Sequence, residues 1–221
     1  MTTKQRYDGV IAWFSEHMPV AESELHYTDP YQLLVAVILS AQCTDKRVNM
    51  TTPALFEAFP TPFDMAAATA EDIYPYIKSI SYPNNKARNL AGMARMLCSE
   101  FGGEVPSDLQ QMQRLPGVGR KSANLIRGDI FHLPAVVADT HCIRMANRIG
   151  FVTDTTDPVQ VERALVKVLP PEESNDFCHR CVMHGRVVCT ARKALCEVCC
   201  LQDVCRTGKK TIKQETLEEL V

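Results

Sequence analysis

Residues 115–121 read Leu-Pro-Gly-Val-Gly-Arg-Lys, and Asp139 follows within Ala-Asp-Thr-His. These residue types suit a phosphate grip placed beside an amine nucleophile and a carboxylate. Pro116 stops a preceding helix. Gly117 and Gly119 are expected to take the positive φ of a tight hairpin. Without Cβ atoms they also let a phosphate approach the backbone N–H groups. Apolar residues at helical spacing resume at Ala123, Leu125, Ile126 and Phe131, so the hairpin feeds a helix N-terminus, where the dipole favours an anion. Helix, Gly-x-Gly hairpin and helix form a clamp for a DNA backbone, with Arg120 beside it. A lysine with an ordinary pKa of about 10.4 is a cation at pH 7 and cannot attack carbon. At Lys121 the helix dipole and partial burial would both disfavour the charge, the route by which lysines become Schiff-base nucleophiles. The other reading is that Arg120 and Lys121 are two basic residues touching phosphate. Asp139 serves the amine only if the fold brings the two together; otherwise it caps a helix over Thr140–Arg148.

A second set of reactive side chains lies near the C-terminus. Cys189, Cys196, Cys199 and Cys205 are separated by six, two and five residues. Four thiolates at such short spacings suit one metal centre, either an iron–sulfur cluster or zinc. Disulfides are the weaker reading, because the N-terminal residues carry no apolar signal core. A zinc-ribbon grouping, Cys178-x2-Cys181 with Cys196-x2-Cys199, competes. Against it, Cys178 and Cys181 fall in an amphipathic segment, Ser174–Val188, that reads as one helix. Cys200 leaves the third ligand open between itself and Cys199.

The elements that must position these groups read as helices throughout, and no stretch sustains period-two alternation. Helical spacing predicts Gln5–His17, a buried central helix over Tyr31–Ala41, an amphipathic one over Asp45–Phe59, and Asn85–Phe101 closed by Gly102-Gly103. Thr61 and Thr69 offer N-caps ahead of acidic residues, Ser107 starts the helix that enters the hairpin, and Asp157-Pro158 starts another. A chain of 221 residues with 46% apolar content can bury one large core or two small ones. Its apolar runs are too short to span a membrane, and a cytoplasmic location is expected. The net charge of −2 does not by itself suggest a nucleic-acid partner, but residues 177–213 carry eight basic residues (Arg180, Arg186, Arg192, Lys193, Arg206, Lys209, Lys210 and Lys213) against Glu197 and Asp203. The rest of the chain is therefore acidic, and distribution matters more than the sum. Arg192 and Lys193, held between two candidate ligands, are the pair expected on phosphate. The polar tail after Cys205 is expected to be loosely ordered.

Taken in order, the hairpin lysine, the downstream aspartate and the cysteine comb resemble the endonuclease III family of helix-hairpin-helix DNA glycosylases. The segments Leu39–Asp45 (Leu-Ser-Ala-Gln-Cys-Thr-Asp), Gly103-Glu104-Val105-Pro106 and His184-Gly185-Arg186 add to the likeness, which runs from about Pro30 to Cys205. The resemblance implies an all-α chain of two helical domains with a cleft between them. A six-helix domain at 22–133 contains the hairpin, and residues 1–21 plus 134–221 form an iron–sulfur domain. It implies that Lys121 is the Schiff-base lysine, Asp139 the catalytic aspartate, and Cys189, Cys196, Cys199 and Cys205 the ligands of a [4Fe–4S] cluster. The implied activity is base excision repair: removal of oxidised pyrimidines from double-stranded DNA, then β-elimination at the abasic site, by a monomer. Gln42 matches a glutamine that enters the duplex, although a polar helix C-terminus would look the same. Tyr82, in Ser81-Tyr82-Pro83, stands where relatives place a leucine wedge after glycine, and Gln113 where some carry an acid; these departures bear on lesion range. A related adenine-mismatch glycosylase lacks a lysine at the position of Lys121 and carries a further C-terminal domain, whereas this chain runs sixteen residues past Cys205. A non-catalytic iron–sulfur DNA-binding module is opposed by the pairing of Lys121 with Asp139.

Overall fold

The computed structural model describes residues 2–209. Two compact units divide the chain, one formed by residues 1–22 and 133–221 and the other by 23–132. The first unit opens with α1 (Thr3–His17). The second holds α2 (Pro30–Ser40), α3 (Asp45–Ala58), α4 (Pro62–Ala67), α5 (Ala70–Ile77), α6 (Pro83–Phe101), α7 (Leu109–Arg114) and α8 (Arg120–Phe131). The chain then returns to the first unit with α9 (Thr140–Ile149), α10 (Pro158–Val166) and α11 (Ser174–Val187). Seven helical segments fill the second unit where six were expected, because α4 and α7 are separate helices of only six residues. Among the described residues the sole β feature is an isolated antiparallel bridge between Cys189 and Ala194. No helix of the described residues is long and apolar enough to cross a membrane.

In the second unit α2 is buried on all sides. Tyr31 and every residue from Leu33 to Leu39 lie in the core, among Leu55, Met65, Ile73, Ile77, Leu90, Met93 and Ile126. Burying each large aliphatic side chain stabilises the unit by about 1.5–3 kcal/mol. The helix starts where Asp29 accepts from the Gln32 N–H at 2.9 Å and Pro30 presets the first turn. Thr61 and Thr69 close capping boxes with Asp64 and Asp72. Two expected starts move. Asp108, not Ser107, caps α7, because its carboxylate reaches the N–H groups of Gln110 and Gln111 together at 3.0 and 2.9 Å. Helix α6 begins at Pro83 rather than Asn85, with Tyr82 at the N-cap in a left-handed conformation, φ 56° and ψ 49°.

The first unit is built on an aromatic cluster. Phe14 of α1 and Phe151 each pack on Phe177 of α11, at centroid distances of 6.1 and 5.9 Å, and Trp13 meets His184 edge-on. Helix α1 starts at Thr3, two residues before the expected Gln5, because Thr2 and Gln5 form a capping box. Arg180, counted above with the basic face, is buried instead. Its guanidinium donates to the Met18 carbonyl at 3.0 Å and pairs with Glu173 at 2.9 Å and Asp176 at 3.3 Å. The tail is ordered as far as it is described: residues 206–209 are helical, and Thr207 Oγ1 donates to the Arg148 carbonyl at 2.9 Å. The remainder of the tail, including Lys210 and Lys213, lies outside the described residues.

Gly117 has φ +84°, and a Cβ there would stand 3.1 Å from Asn89 Cβ and 3.2 Å from Ile38 Cγ2. Gly117→Ala is therefore expected to destabilise the protein by about 1–3 kcal/mol. The check is a lower urea midpoint at unchanged slope.

Candidate functional site

The hairpin joins α7 to α8. Leu115 closes α7 through its N–H on the Met112 carbonyl, and Val118 is buried beneath the turn. Only Gly117 of the two glycines has positive φ. Gly119 is extended, at φ −88° and ψ 174°, because it is the N-cap of α8 rather than a turn residue. It offers no side chain to the first N–H groups of α8, and a Cβ there would meet nothing within 4 Å. The open backbone of this helix start suits an anion. Arg120 and Lys121 are the first two residues of α8, and both are exposed. The partial burial expected at Lys121 is thus absent, and its amine is accessible from solvent.

The same unit presents two further predicted residues in an unusual way. Gln42, just past the end of α2, has φ 54°, and Tyr82, just before α6, has φ 56°. Left-handed conformations at non-glycine residues cost of order 1–3 kcal/mol each and persist where surroundings enforce them. Gln42 is exposed and Tyr82 is 63% exposed, so neither side chain is held by a core. The residue between these elements that sequence inspection missed is Lys86. It is 5% exposed, and its ammonium donates to the carbonyls of Leu39 at 2.8 Å and Ala41 at 2.6 Å. Burial pulls its pKa below the ordinary lysine range, yet its engagement with two carbonyls leaves it ill placed to attack a substrate. No motif marked it; only its position four residues after Tyr82 was available.

In the other unit Asp139 is half-buried and caps α9, its Oδ1 accepting from the Cys142 N–H at 2.7 Å. The capping reading of this residue is therefore realised. Nine residues on, Arg148 in the last turn of α9 grips the cysteine segment. It donates to the Thr190 carbonyl at 2.6 Å, to Ala191 O at 3.3 Å and to Cys189 Sγ at 3.3 Å, while Arg144 donates to Cys189 O at 3.0 Å. Thr190 Oγ1 closes the loop by donating to the Lys193 carbonyl at 2.6 Å. Arg192 and Lys193, both exposed, ride on that tied loop.

Cys189, Cys196, Cys199 and Cys205 line one cavity, together with Arg148, Val188 and Leu195. Cys200 is exposed and does not line it, and Cys178 and Cys181 lie elsewhere, buried on α11. Those two thiols instead contact the buried Cys142 through sulfur hydrogen bonds. Among the described residues no three His, Cys, Asp or Glu side chains gather as ligands of a single metal ion. A cubane, which binds each thiolate through a different iron, spreads its ligands wider. Burial pushes the Cys199 thiol up to about 11 and raises that of Cys205. Thiolates in such a place need a cation or donors, and donors are present. Besides Arg148, His184 Nε2 lies 3.5 Å from Cys199 Sγ, and the Gly208 N–H donates to Cys205 Sγ at 3.5 Å. Burial lowers the pKa of His184. Sequence inspection passed over Arg148 and His184 as partners of sulfur, since neither spacing nor residue type announces such a role.

Comparison with known proteins places this geometry. Residues 35–171 match the model of the HhH-GPD superfamily of base excision DNA repair proteins. Endonuclease III of Synechocystis sp. is 42% identical over 93% of this chain and 94% of its own length, and that of Escherichia coli K12 is 39% identical over 91% and 95%. The chain belongs to the endonuclease III family. A trapped covalent intermediate of an endonuclease III with DNA, an estranged-adenine complex, superposes with a TM-score of 0.88 at 40% identity, covering 96% of this chain and all of the other. A thermostable thymine-DNA glycosylase, 24% identical with a TM-score of 0.82, shares the fold.

Because Cys196 lines the cavity with three other thiols and Cys200 does not, a metal centre held by these four thiols is expected to be lost in Cys196→Ser and kept in Cys200→Ser. Iron assay and visible absorption of the anaerobically purified proteins check this. Equal retention by both variants would remove Cys196 from the ligand set.

Proposed function

We propose that this chain excises oxidised pyrimidines from double-stranded DNA and cleaves the strand at the resulting abasic site through Lys121. The observation that carries the reading is the placement of an exposed lysine in the first turn of α8, directly after an uncapped glycine hairpin suited to a phosphate. The hairpin holds the backbone beside the damaged nucleotide, and the nucleotide must leave the stack for any side chain to reach its sugar. Weakly stacked lesions are the cheapest to extrude.

In the reaction, neutral Lys121 attacks C1′ of the deoxyribose and the C1′–base bond breaks, the base leaving with the bonding pair. The nitrogen, cationic after attack, gives up one proton, and its lone pair then opens the ring, O4′ taking that proton and leaving a protonated Schiff base at C1′. Removal of a C2′ proton then expels the 3′ phosphate by β-elimination. Asp139 is proposed to orient Lys121, accept a proton from it and stabilise positive charge developing at C1′. Gln42 and Tyr82 fill the space left by the extruded nucleotide, and Arg192 and Lys193 hold phosphates farther along the strand. Cys189, Cys196, Cys199 and Cys205 would hold a [4Fe–4S] cluster, whose contribution when bound is to cross-link the loop that carries Arg192 and Lys193. The acting form is proposed to be a monomer on DNA containing oxidised pyrimidines or abasic sites.

Borohydride added during turnover on abasic DNA should trap wild-type protein covalently. Lys121→Ala should bind DNA but neither cleave nor be trapped; normal trapping by this variant would sink the assignment. Asp139→Asn keeps most of the capping ability, at a cost of a few tenths of a kcal/mol up to about 1 kcal/mol. Its turnover is expected to fall about 10²–10⁴-fold, as for loss of a positioned acid–base group. Parallel melting curves separate the two roles: equal losses in folding and turnover would leave Asp139 only a cap.

A further inference from the structure

Helix α2 comes to the surface at Ala41 and Gln42, and four carbonyls at this end are taken by protein donors. Val37 O accepts from Ser40 Oγ at 2.9 Å, and Ser40 O from the Cys43 N–H at 3.0 Å. Leu39 O and Ala41 O accept from the ammonium of Lys86. This cation, on the first turn of α6, meets the negative end of the α2 dipole. No ion pair with a carboxylate is found for it among the described residues. A buried ammonium satisfied by backbone carbonyls is an expensive device for stability alone, since a well-packed apolar side chain there would avoid the desolvation cost.

What lies on either side of the junction gives it another purpose. Gln42 follows Ala41 directly, and the Lys86 N–H itself donates to the Tyr82 carbonyl at 3.1 Å. Both flanking residues are exposed, neither is glycine, and both are left-handed. Each turn alone could relax to an ordinary conformation. The Lys86 side chain ties the first turn, and its backbone ties the second, so one residue fixes both. The hairpin rests on the same two helices, with Gly117 seated against Ile38 of α2 and Asn89 of α6.

From this juxtaposition we infer that Lys86 is a positioning residue: it sets Gln42 and Tyr82 at a fixed separation so that both enter the duplex together at the damaged site. The inference rests on the proposed entry of Gln42 and Tyr82 into DNA. It predicts a selective defect. Opening a well-paired lesion requires both side chains in place, whereas a preformed abasic site leaves less to unstack.

The test compares Lys86→Met, Gln42→Ala/Tyr82→Ala and the triple variant on two duplexes, one with thymine glycol opposite adenine and one with an abasic site. Amide exchange is followed in the DNA-free proteins. Lys86→Met should speed exchange at residues 41–44 and 82–86. It should slow thymine glycol excision about tenfold relative to abasic-site cleavage, the size of one base-stacking contact. The double variant should show the same selective loss, and the triple variant no more than the double. If the double variant is selective while Lys86→Met is not, or if Lys86→Met weakens both substrates equally, Lys86 is only structural and the inference is overturned. If neither is selective, Gln42 and Tyr82 do not enter the duplex; that element of the proposed function fails and takes the inference with it. Undisturbed exchange in Lys86→Met also overturns it. Should Lys86→Met not fold, Lys86→Gln, which keeps a donor but not the charge, is read by the same criteria.

Discussion

A helix that is apolar on every face must be surrounded, and a surrounded helix cannot leave its last carbonyls to water. Helix α2 meets both conditions, with Tyr31 and Leu33–Leu39 all in the core. An unpartnered buried carbonyl costs about 1–3 kcal/mol, so the way α2 ends constrains everything near it. Ser40 and the Cys43 N–H serve two carbonyls, and Lys86 serves two more. The solution brings the start of α6 to the end of α2, and the two helices together seat the hairpin through Gly117. The exposed residues proposed to touch DNA within residues 23–132 thus hang from one buried helix and its terminus.

The other unit solves a comparable problem with a different helix. Helix α9 carries Asp139 at its first cap and Arg148 in its last turn, about 14 Å apart along the axis for nine residue steps. Arg144 and Arg148 spend most of their donors on backbone carbonyls of residues 185–191. The loop presenting Arg192 and Lys193 is therefore braced by the helix that displays the carboxylate. Cys142 of α9 meets Cys178 and Cys181 of α11 as small apolar side chains, with their thiol pKa values raised by contact with one another and by burial.

Charge follows the same division between counting and placement. A basic C-terminal stretch is evident in composition, yet Arg180 is consumed inside the unit by Glu173, Asp176 and the Met18 carbonyl. Arg206 is partly consumed as well, donating to Asn147 O at 3.0 Å. Among the described residues of this stretch the exposed cations are Arg186, Arg192, Lys193 and Lys209, of which Arg192 and Lys193 ride on the tied loop.

The sequence by itself determined that the chain is helical and where most helices begin and end, while the cysteine spacing left two groupings open until the family resemblance chose the four that line one cavity. Those features are local: caps, proline and glycine positions and short ligand spacings act over a few residues. Its errors were also local in origin. Tyr82 starts α6 without a side-chain cap, Gly119 is a cap rather than a turn glycine, and Asp108 reaches more N–H groups than Ser107 could. Tertiary structure alone decided which polar side chains are spent on the scaffold. Arg180 reads as a surface cation because long basic side chains usually are, Lys86 lies in no motif, and Arg148 and His184 carry no spacing that points to sulfur. Their roles arise only when helices remote in sequence pack, because a buried carbonyl or thiolate must find a donor wherever the fold happens to place one.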